Sequence, residues 1–388
     1  MISMGEQDDY ICELHHSVLE INSNEWDQLV PSSEDLAMNQ RLIRFLEITL
    51  SQQARLWTIS VRDKQGQLVC CACISLFQTD VLQSVPRLFK VVISAFRHLW
   101  LNIFKWKVIF CGLPIPAGHS HLRFSPGVNI QAILGALNEL MQGLAKKEGA
   151  RLLVFKELNR DQFNCLKSLN TMGFQSGLLP PIYELPHNFK DFDQYESLLR
   201  ANYRRQIRLN KKKFDRFGLS VEYIFDDEEI SARFTEEVYQ LYLNVWEKAK
   251  EKLECFPFEF FSGLPKIFPG QVVMTLISDC RRPISFSIAL VTNAAYHNLY
   301  IGLDYSLNRK VHLLFNLFYE ELAVVFRLHK KQIYLGQKSD GFKSRLGATA
   351  SARYFFVRPL DTTTRVCFKW FHIFIFPRIK YYQRKVFK

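Results

Sequence analysis

Three short runs in the second half of this 388-residue chain carry side chains suited to chemistry. The first is RANYRRQIRLNKKKFDR, residues 200–216. At helical spacing Arg204, Arg208 and Lys212 follow one another at i, i+4 with Arg205 beside them, while Leu199, Tyr203, Ile207 and Phe214 fall on another face. Guanidinium forks match phosphate oxygens, so this face suits a phosphorylated ligand; it reads equally as a solvated basic surface. The second run is GFKSRLGA, where Lys343 and Arg345 follow an extended segment and precede a glycine turn. Ser344, Gly347 and Ala348 are small enough to let a substrate approach the backbone. A cation here suits a carbonyl or a diphosphate, and the plain alternative is a surface turn. The third run is YIGLDYSLNRK, in which Asp304 is the candidate proton acceptor or amine anchor, flanked by Tyr300 and Tyr305. Its alternative is a cap for the helix that follows. Gln337 and Lys338 follow a YLG segment, and His119 and His121 lie in PAGHSHLR, where exposed loop histidines are expected.

The charge agrees with local sites. The net charge of +12 is concentrated: residues 200–216 carry +7 and residues 361–388 carry +6, which leaves −1 for the other 343 residues. That distribution argues against a chain that coats nucleic acid along its length and for local binding of something anionic. The tail, FKWFHIFIFPRIKYYQRKVFK, interleaves aromatics with cations. It suits an anionic membrane surface, stacking on a nucleic acid, or packing on the first domain, and the membrane surface is the preferred functional reading.

Hydrophobic residues make up 48% and charged residues 23%, which excludes disordered and low-complexity classes. Nine cysteines show no disulfide spacing. Cys70, Cys71 and Cys73 share an apolar strand, so the formal CxxC reads as buried thiols in a reducing compartment, with no metal site expected. The acidic N-terminus does not read as a signal peptide. No run of 18 apolar residues occurs, and residues 88–104, an aromatic-rich helix by pattern, are interrupted by Lys90, Arg97 and His98.

These residues need elements to hold them. Helical spacing is expected around Trp26, Leu29, Leu42, Phe45 and Leu46, then strands LWTISVRD, QLVCCACISLF and KVIFCGLPI. A helix at 129–147, the strand RLLVFKEL, a short helix at 160–170, the turn TMGF and the strand PIYELP complete a first half. Pro180, Pro181 and Pro186 mark the boundary, giving domains 1–188 and 189–360 and a tail 361–388. The second half reads as a helix from 193 to 217, the strand LSVEYIF, and a helix 231–251. It continues with strands QVVMTLIS, ISFSIALVT and NLYIGLD, a helix 308–328, and strands QIYLGQ and RYFFVRP. Each half runs meander, helix, strand, glycine turn, strand, a repeat in topology though not in letters.

This order resembles the GNAT acyltransferase fold, and its doubling resembles the FemAB-like group of N-acyltransferases linked to peptidoglycan biosynthesis. The closer match is LLRANYRRQIRLNKKKF, FPFEFFSGL, YIGLDYSLNRKVHLLFNLFYEE and YLGQKSDGFKSRLGA, roughly residues 195–358. EWDQL and IFCGLPI resemble the group more loosely. The resemblance implies a mixed α/β (α+β) fold of two tandem GNAT-like domains. It implies a central cleft near Tyr300, Asp304 and Tyr305, with the basic helix beside it. It also implies that Lys343 matches the lysine that serves the reaction centre in peptidoglycan aminoacyl ligases. Acyl transfer of this kind needs positioning and oxyanion donors more than a fixed triad.

One family element is absent. The glycine-rich pyrophosphate loop of acetyl-CoA-using members is replaced by DYSLNRKVH, and the first half offers PIPAGHSH. Acyl-CoA is thereby put in doubt as donor, beside aminoacyl-tRNA and an acyl-carrier-protein thioester. The expected function is N-acyl transfer to an amine of a cell-envelope acceptor. The expected location is the cytoplasm, on the inner face of the membrane if the tail binds it. The alternatives are a non-catalytic protein of the same fold that holds an anionic polymer or membrane, and an enzyme that makes a small-molecule amide.

Overall fold

The computed structural model describes residues 3–7, 9–30, 35–80, 105–115, 118–186, 189–249, 254–337, 340–366, 368, 381 and 383–388. The expected helix at 88–104, most of the tail and Lys338 lie outside the described residues. The chain forms two compact units. Unit 1 holds residues 1–180, 250–254 and 352–380; unit 2 holds 181–249, 255–351 and 381–388. The division therefore differs from cuts at 188 and 360: the chain leaves unit 1 between Pro180 and Pro181, counts with it again at 250–254 and from Ala352, and ends in unit 2.

Unit 1 begins with strands β1 (Ser3–Gln7) and β2 (Tyr10–His15), which an acidic N-terminus had not suggested. Helices α1 (Ser23–Leu29) and α2 (Gln40–Thr49) follow, capped by Asn22 and Asn39. Then come β3 (Arg55–Asp63), β4 (Leu68–Asp80), β5 (Lys105–Cys111) and β6 (Leu122–Phe124). Helix α3 (Ile130–Glu148) starts at an Asn129 cap and stops at Gly149 in the left-handed region, matching its expected span. Strand β7 (Leu152–Leu158), the short helix α4 (Arg160–Cys165), the Gly173 turn and β8 (Gln175–Pro186) follow. Leu134, Leu137 and Met141 of α3 pack with Ile59, Ile74, Ile109 and Leu153 of the sheet to form the unit 1 core. Cys70 lies in this core, Cys71 and Cys73 are buried as well, and burial pushes all three thiols up.

β5 and β7 are parallel neighbours from Val108↔Leu152 to Cys111↔Phe155; β5 then ends and β7 runs on.

In unit 2 the expected helix 193–217 is two: α5 (Phe192–Leu198) and α6 (Ala201–Asp215). The break has a cause. Leu199 is extended and bridges to Phe387, and the Arg200 amide donates to the Val386 carbonyl at 2.9 Å. The last residues of the chain thus pack in unit 2, with Val386 and Phe387 in its core, not on the first domain. Next come β9 (Ser220–Ile224), α7 (Asp227–Arg233) and α8 (Glu236–Lys248), the last two replacing one expected helix. They are separated where Phe234 turns inward to stack on Phe261, 4.9 Å between centroids. Helix α9 (Phe258–Ile267) precedes β10 (Val272–Asp279), β11 (Arg282–Val291) and β12 (Ala295–Leu303).

The expected helix 308–328 is also two, α10 (Tyr305–Val311) and α11 (Leu313–Arg327), joined at left-handed His312. The Asn316 side-chain amide donates to the Val311 carbonyl at 2.8 Å and, at 3.3 Å, to the His312 carbonyl that already accepts the Asn316 backbone N–H, and Asn308 accepts from the Leu314 amide at 2.9 Å. Strand β13 (Gln332–Tyr334) and the single turn α12 (Asp340–Lys343) close unit 2. The chain then re-enters unit 1 as β14 (Thr349–Pro359), which lies antiparallel to β7 there. Lys156 and Glu157 stand opposite Phe355 alone, a β-bulge with Glu157 at φ +61°.

Candidate functional site

The site in unit 2 grows from a pair of parallel strands that part. β12 and β13 pair only through Ala295↔Gln332, Tyr296↔Ile333 and His297↔Tyr334. Beyond Tyr334 the chain stays with β8: the Leu335 amide donates to the Tyr183 carbonyl at 2.8 Å and the Tyr183 amide to the Gly336 carbonyl at 3.2 Å. β12 meanwhile follows β11, with a bulge where Ile288 faces Tyr300 and Ala289 faces Asn298, leaving Leu299 extra. Backbone and side chains therefore open a gap between Asn298 on one side and Leu335–Gln337 on the other. The carboxyl end of diverging parallel strands is where open α/β sheets place ligands.

Lys343 reaches this gap. Phe342 packs edge-on against Phe315 and Phe318 of α11, at 4.6 and 4.9 Å, which anchors the one-turn α12. The Lys343 ammonium then donates to the Gln337 carbonyl at 2.7 Å, and only 5% of the residue is exposed. A Cβ on Gly336, whose φ is +76°, would lie 3.7 Å from that ammonium and 3.6 Å from the Asn298 carbonyl. Glycine thus keeps the space beside the lysine open.

Beneath it lies Glu321 of α11, fully buried. Its Oε1 accepts from the Tyr296 hydroxyl at 2.7 Å and from the Asn298 amide; its Oε2 makes no hydrogen bond. Burial pushes its pKa up to about 7, against the pull of the Tyr296 and Asn298 hydrogen bonds and the Lys343 charge. A carboxyl group that titrates near neutrality suits proton transfer. Sequence reasoning missed it, although a signal was present. Glu321 sits three residues after Phe318 and four before Val325, a charge on the apolar stripe of the helix.

The other expected residues are placed as follows. Gln337 joins Lys343 through its carbonyl. Tyr300 lies on the opposite face of β12, because the bulge shifts the alternation. Its ring meets Tyr242, Phe256, Phe260 and Phe261 at 5.2 to 5.8 Å. Asp304 caps α10 by accepting from the Ser306 amide at 2.9 Å and hydroxyl at 2.6 Å, and Arg282 reaches its other oxygen at 2.5 Å. Burial works to raise its pKa, but the Ser306 hydrogen bonds and Arg282 outweigh this and hold the carboxyl below the usual carboxylate range. The capping alternative therefore describes its geometry. Tyr305 lies under Lys248, whose ammonium is 3.4 Å from the ring centroid.

Helix α6 packs on α11 through Ile207 and through Asn210, whose amide donates to the Tyr319 hydroxyl at 3.1 Å. Exposed Arg345 acts electrostatically on the same tyrosine. On the outer face, Arg204 donates to the Ser197 carbonyl at 2.9 Å and Arg208 pairs with Glu196 at 2.7 Å. Arg205 is exposed, and Arg208, Lys211, Lys212, Asp215 and Arg216 line a hollow of about 450 Å³. Among the described residues, no group of three or more His, Cys, Asp and Glu side chains is arranged to hold a metal.

Two units, each with a meander leading to a parallel pair of strands, define the tandem GNAT-like class. Solved structures agree. FemX, 13% identical, matches over 92% of this chain and 99% of its own with a TM-score of 0.52. A tandem GNAT protein from the clavulanic acid biosynthesis pathway, also 13% identical, matches over 90% of this chain and 100% of its own with a TM-score of 0.51. The C-terminal domain of a protein named as a lysylphosphatidylglycerol synthetase from Agrobacterium fabrum matches at 10% identity over 93% and 100%, with a TM-score of 0.50. No curated protein matches in sequence. The family model described as peptidoglycan biosynthesis/recognition, FemAB-like, matches residues 107–338, more than half of the chain. The chain belongs to the FemAB-like family. The match stops five residues before Lys343.

Proposed function

We propose that unit 2 transfers an acyl or aminoacyl group from an activated ester or thioester to an amine of a cell-envelope acceptor. The carrying observation is the pairing, at one opening, of a buried lysine aimed along the gap with a buried carboxyl titrating near pH 7. In the step, the amine nitrogen bonds to the acyl carbon and the carbonyl becomes an oxyanion facing Lys343. Glu321 takes the amine proton. The carbonyl re-forms as the donor's alcohol or thiol leaves with the bonding electrons, and the proton passes to that leaving group. Asp304, held ionised by Arg282 and Ser306, serves the fold of this mouth.

Aminoacyl-tRNA is the preferred donor, because the cations of α6 suit phosphates and the family's glycine-rich CoA loop is missing. The name of the Agrobacterium protein also links this fold to an aminoacylated product. An acyl-carrier protein and acyl-CoA are the other donors to offer. The family description favours a peptidoglycan precursor as acceptor. No helix among the described residues is long and apolar enough to cross a membrane, and the reaction is proposed at the cytoplasmic face. The cationic hollow on α6 favours a second reading, a non-catalytic holder of anions.

The test offers the full chain each donor in turn with amine acceptors and follows products by mass spectrometry. Transfer that disappears in Lys343→Ala while the thermal midpoint stays within a few degrees supports the enzyme. No transfer from any donor, with anion binding retained, supports the holder instead.

A further inference from the structure

Unit 1 has a parallel pair of its own, and the carboxyl end of β5 and β7 gathers polar groups that the acyl-transfer reading does not use. His121, expected as an exposed loop residue, is fully buried, and neither ring nitrogen makes a hydrogen bond. Glu157, also buried, stands in the β7 bulge at positive φ; its Oε1 is 3.8 Å from the Lys156 ammonium and its Oε2 has no hydrogen bond. Arg353 of β14, 3% exposed, donates to the carbonyls of Gly118 and Ala352 at 2.6 and 3.0 Å. Its charge acts on both Glu157 and His119.

Gly112, the residue after β5, lets the Lys156 stem pack on its backbone: a Cβ there would come within 2.7 Å of the lysine's Cγ and Cε. The neighbouring cation Arg123 is matched by Asp35 at 2.5 Å. Burial and the nearby cations keep both histidines neutral. Among the described residues, Lys156 and Arg353 act on Glu157, Arg353 also on His119, and Lys156 also on His121. A neutral imidazole buried with both nitrogens bare, sharing the neighbour Lys156 with an acidic residue at positive φ, is an arrangement a fold seldom keeps for stability alone.

We propose that the carboxyl end of β5 and β7 is a second binding site, for the oxyanion of a small ligand bearing a carboxylate or a phosphate monoester. Lys156 and Arg353 supply the charge, a His121 N–H supplies a donor, and Glu157 Oε2 faces a hydroxyl or ammonium on the same ligand. Half-buried His119 and Lys156 mark the way in from the surface. The site is independent of the unit 2 chemistry.

The test uses the full chain labelled with ¹⁵N-histidine. Inorganic phosphate and acetate are titrated separately, each against sodium chloride at equal ionic strength, while the His121 ring signals are followed. Those signals are assigned by their absence in His121→Asn. The expected result is a saturable His121 shift that chloride does not produce, with binding roughly tenfold weaker or more in Lys156→Met. A response to phosphate alone assigns a phosphate ligand, and one to acetate assigns a carboxylate. If Lys156→Met does not fold, Glu157→Gln is used instead, with a changed affinity expected. His121 signals that neither anion moves, or that move identically in wild type and in the folded variant, overturn the proposal.

Discussion

The hydroxyl of Tyr296 donates a 2.7 Å hydrogen bond to Oε1 of Glu321, so β12 and α11 meet through a buried carboxyl group where neighbouring positions meet through hydrocarbon. That group has an ordinary value of 4.5 and a folded value of about 7. A raised carboxyl stabilises the fold fully below pH 4.5, and its contribution is lost as pH rises through 7. The histidines of unit 1 act in the opposite sense. His119, lowered from 6.5 to about 4, and His121, lowered well below 6.5, contribute above pH 6.5 and lose their contribution as pH falls. Glu157, raised by burial, partly offsets them. Glu321→Gln is expected to gain on wild type as pH rises from 5 to 7, by up to about 1.4 kcal/mol per pH unit. His121→Asn is expected to gain as pH falls over the same range. Denaturant midpoints at several pH values measure both, and parallel curves for Glu321→Gln and wild type would refute the carboxyl assignment.

Activity separates Lys343 from Asp304. Loss of a preorganised oxyanion donor costs on the order of 10²–10³ in turnover, so Lys343→Ala is expected in that range. Asp304→Ala keeps the site but removes a helix cap, at about 1 kcal/mol in stability with turnover nearly unchanged. Single-turnover rates and urea midpoints on the two variants form the comparison. Equal rate losses in both would mean that the Arg282–Asp304 pair takes part in the reaction.

Glu321 itself is expected to act through proton transfer. Glu321→Gln should lower turnover and flatten the limb of the pH–rate profile near 7. A profile that keeps its inflection in the variant assigns that inflection to another group, such as the substrate amine.

How far the sequence discloses these roles depends on the element. Lys343 and Gln337 are legible as positions that meet, the one a cation ahead of a glycine turn and the other just past a short strand; their roles are the proposal. Asp304 is legible as a position but not as a role, since capping and catalysis ask for the same residue type at the same place. Tyr300 lies on the face opposite Asn298 for a geometric reason: the bulge at Leu299 moves every later side chain to the other face, and no letter in NLYIGLD marks it. The helix breaks at Leu199 and His312 escape periodicity because the apolar stripe continues across them. Tertiary partners, Val386–Phe387 for one and Asn316 for the other, decide them.

Thiol chemistry gives a direct check on burial. Cys12, Cys70, Cys71, Cys73 and Cys111 are buried, with Cys12 and Cys111 pushed up to about 12, whereas Cys165 and Cys280 are exposed. Brief alkylation of the native chain followed by peptide mass spectrometry is expected to label Cys165 and Cys280 and spare those five. Labelling of Cys70 or Cys71 at the Cys280 rate would reject the buried strand.

Gly347 tests the docking of the last residues. It sits at φ +85°, and a Cβ there would come within 2.5 Å of the Phe387 ring. Gly347→Ala is expected to cost about 1–3 kcal/mol from strain and overpacking. Part of that loss should return in the double variant with Phe387→Ala, read from urea midpoints.

The return of β14 to unit 1 has a consequence for the protein's birth. β7 ends at Leu158, but the strand that covers its edge does not begin until Thr349. At ribosomal speeds of about 5–20 residues per second, that edge waits for about 10–40 s while unit 2 is synthesised. The first unit to leave the ribosome is thus completed after nearly all of the second has emerged. Nascent chains stalled before residue 349 should carry an open, pairing-competent edge that chaperones must shield.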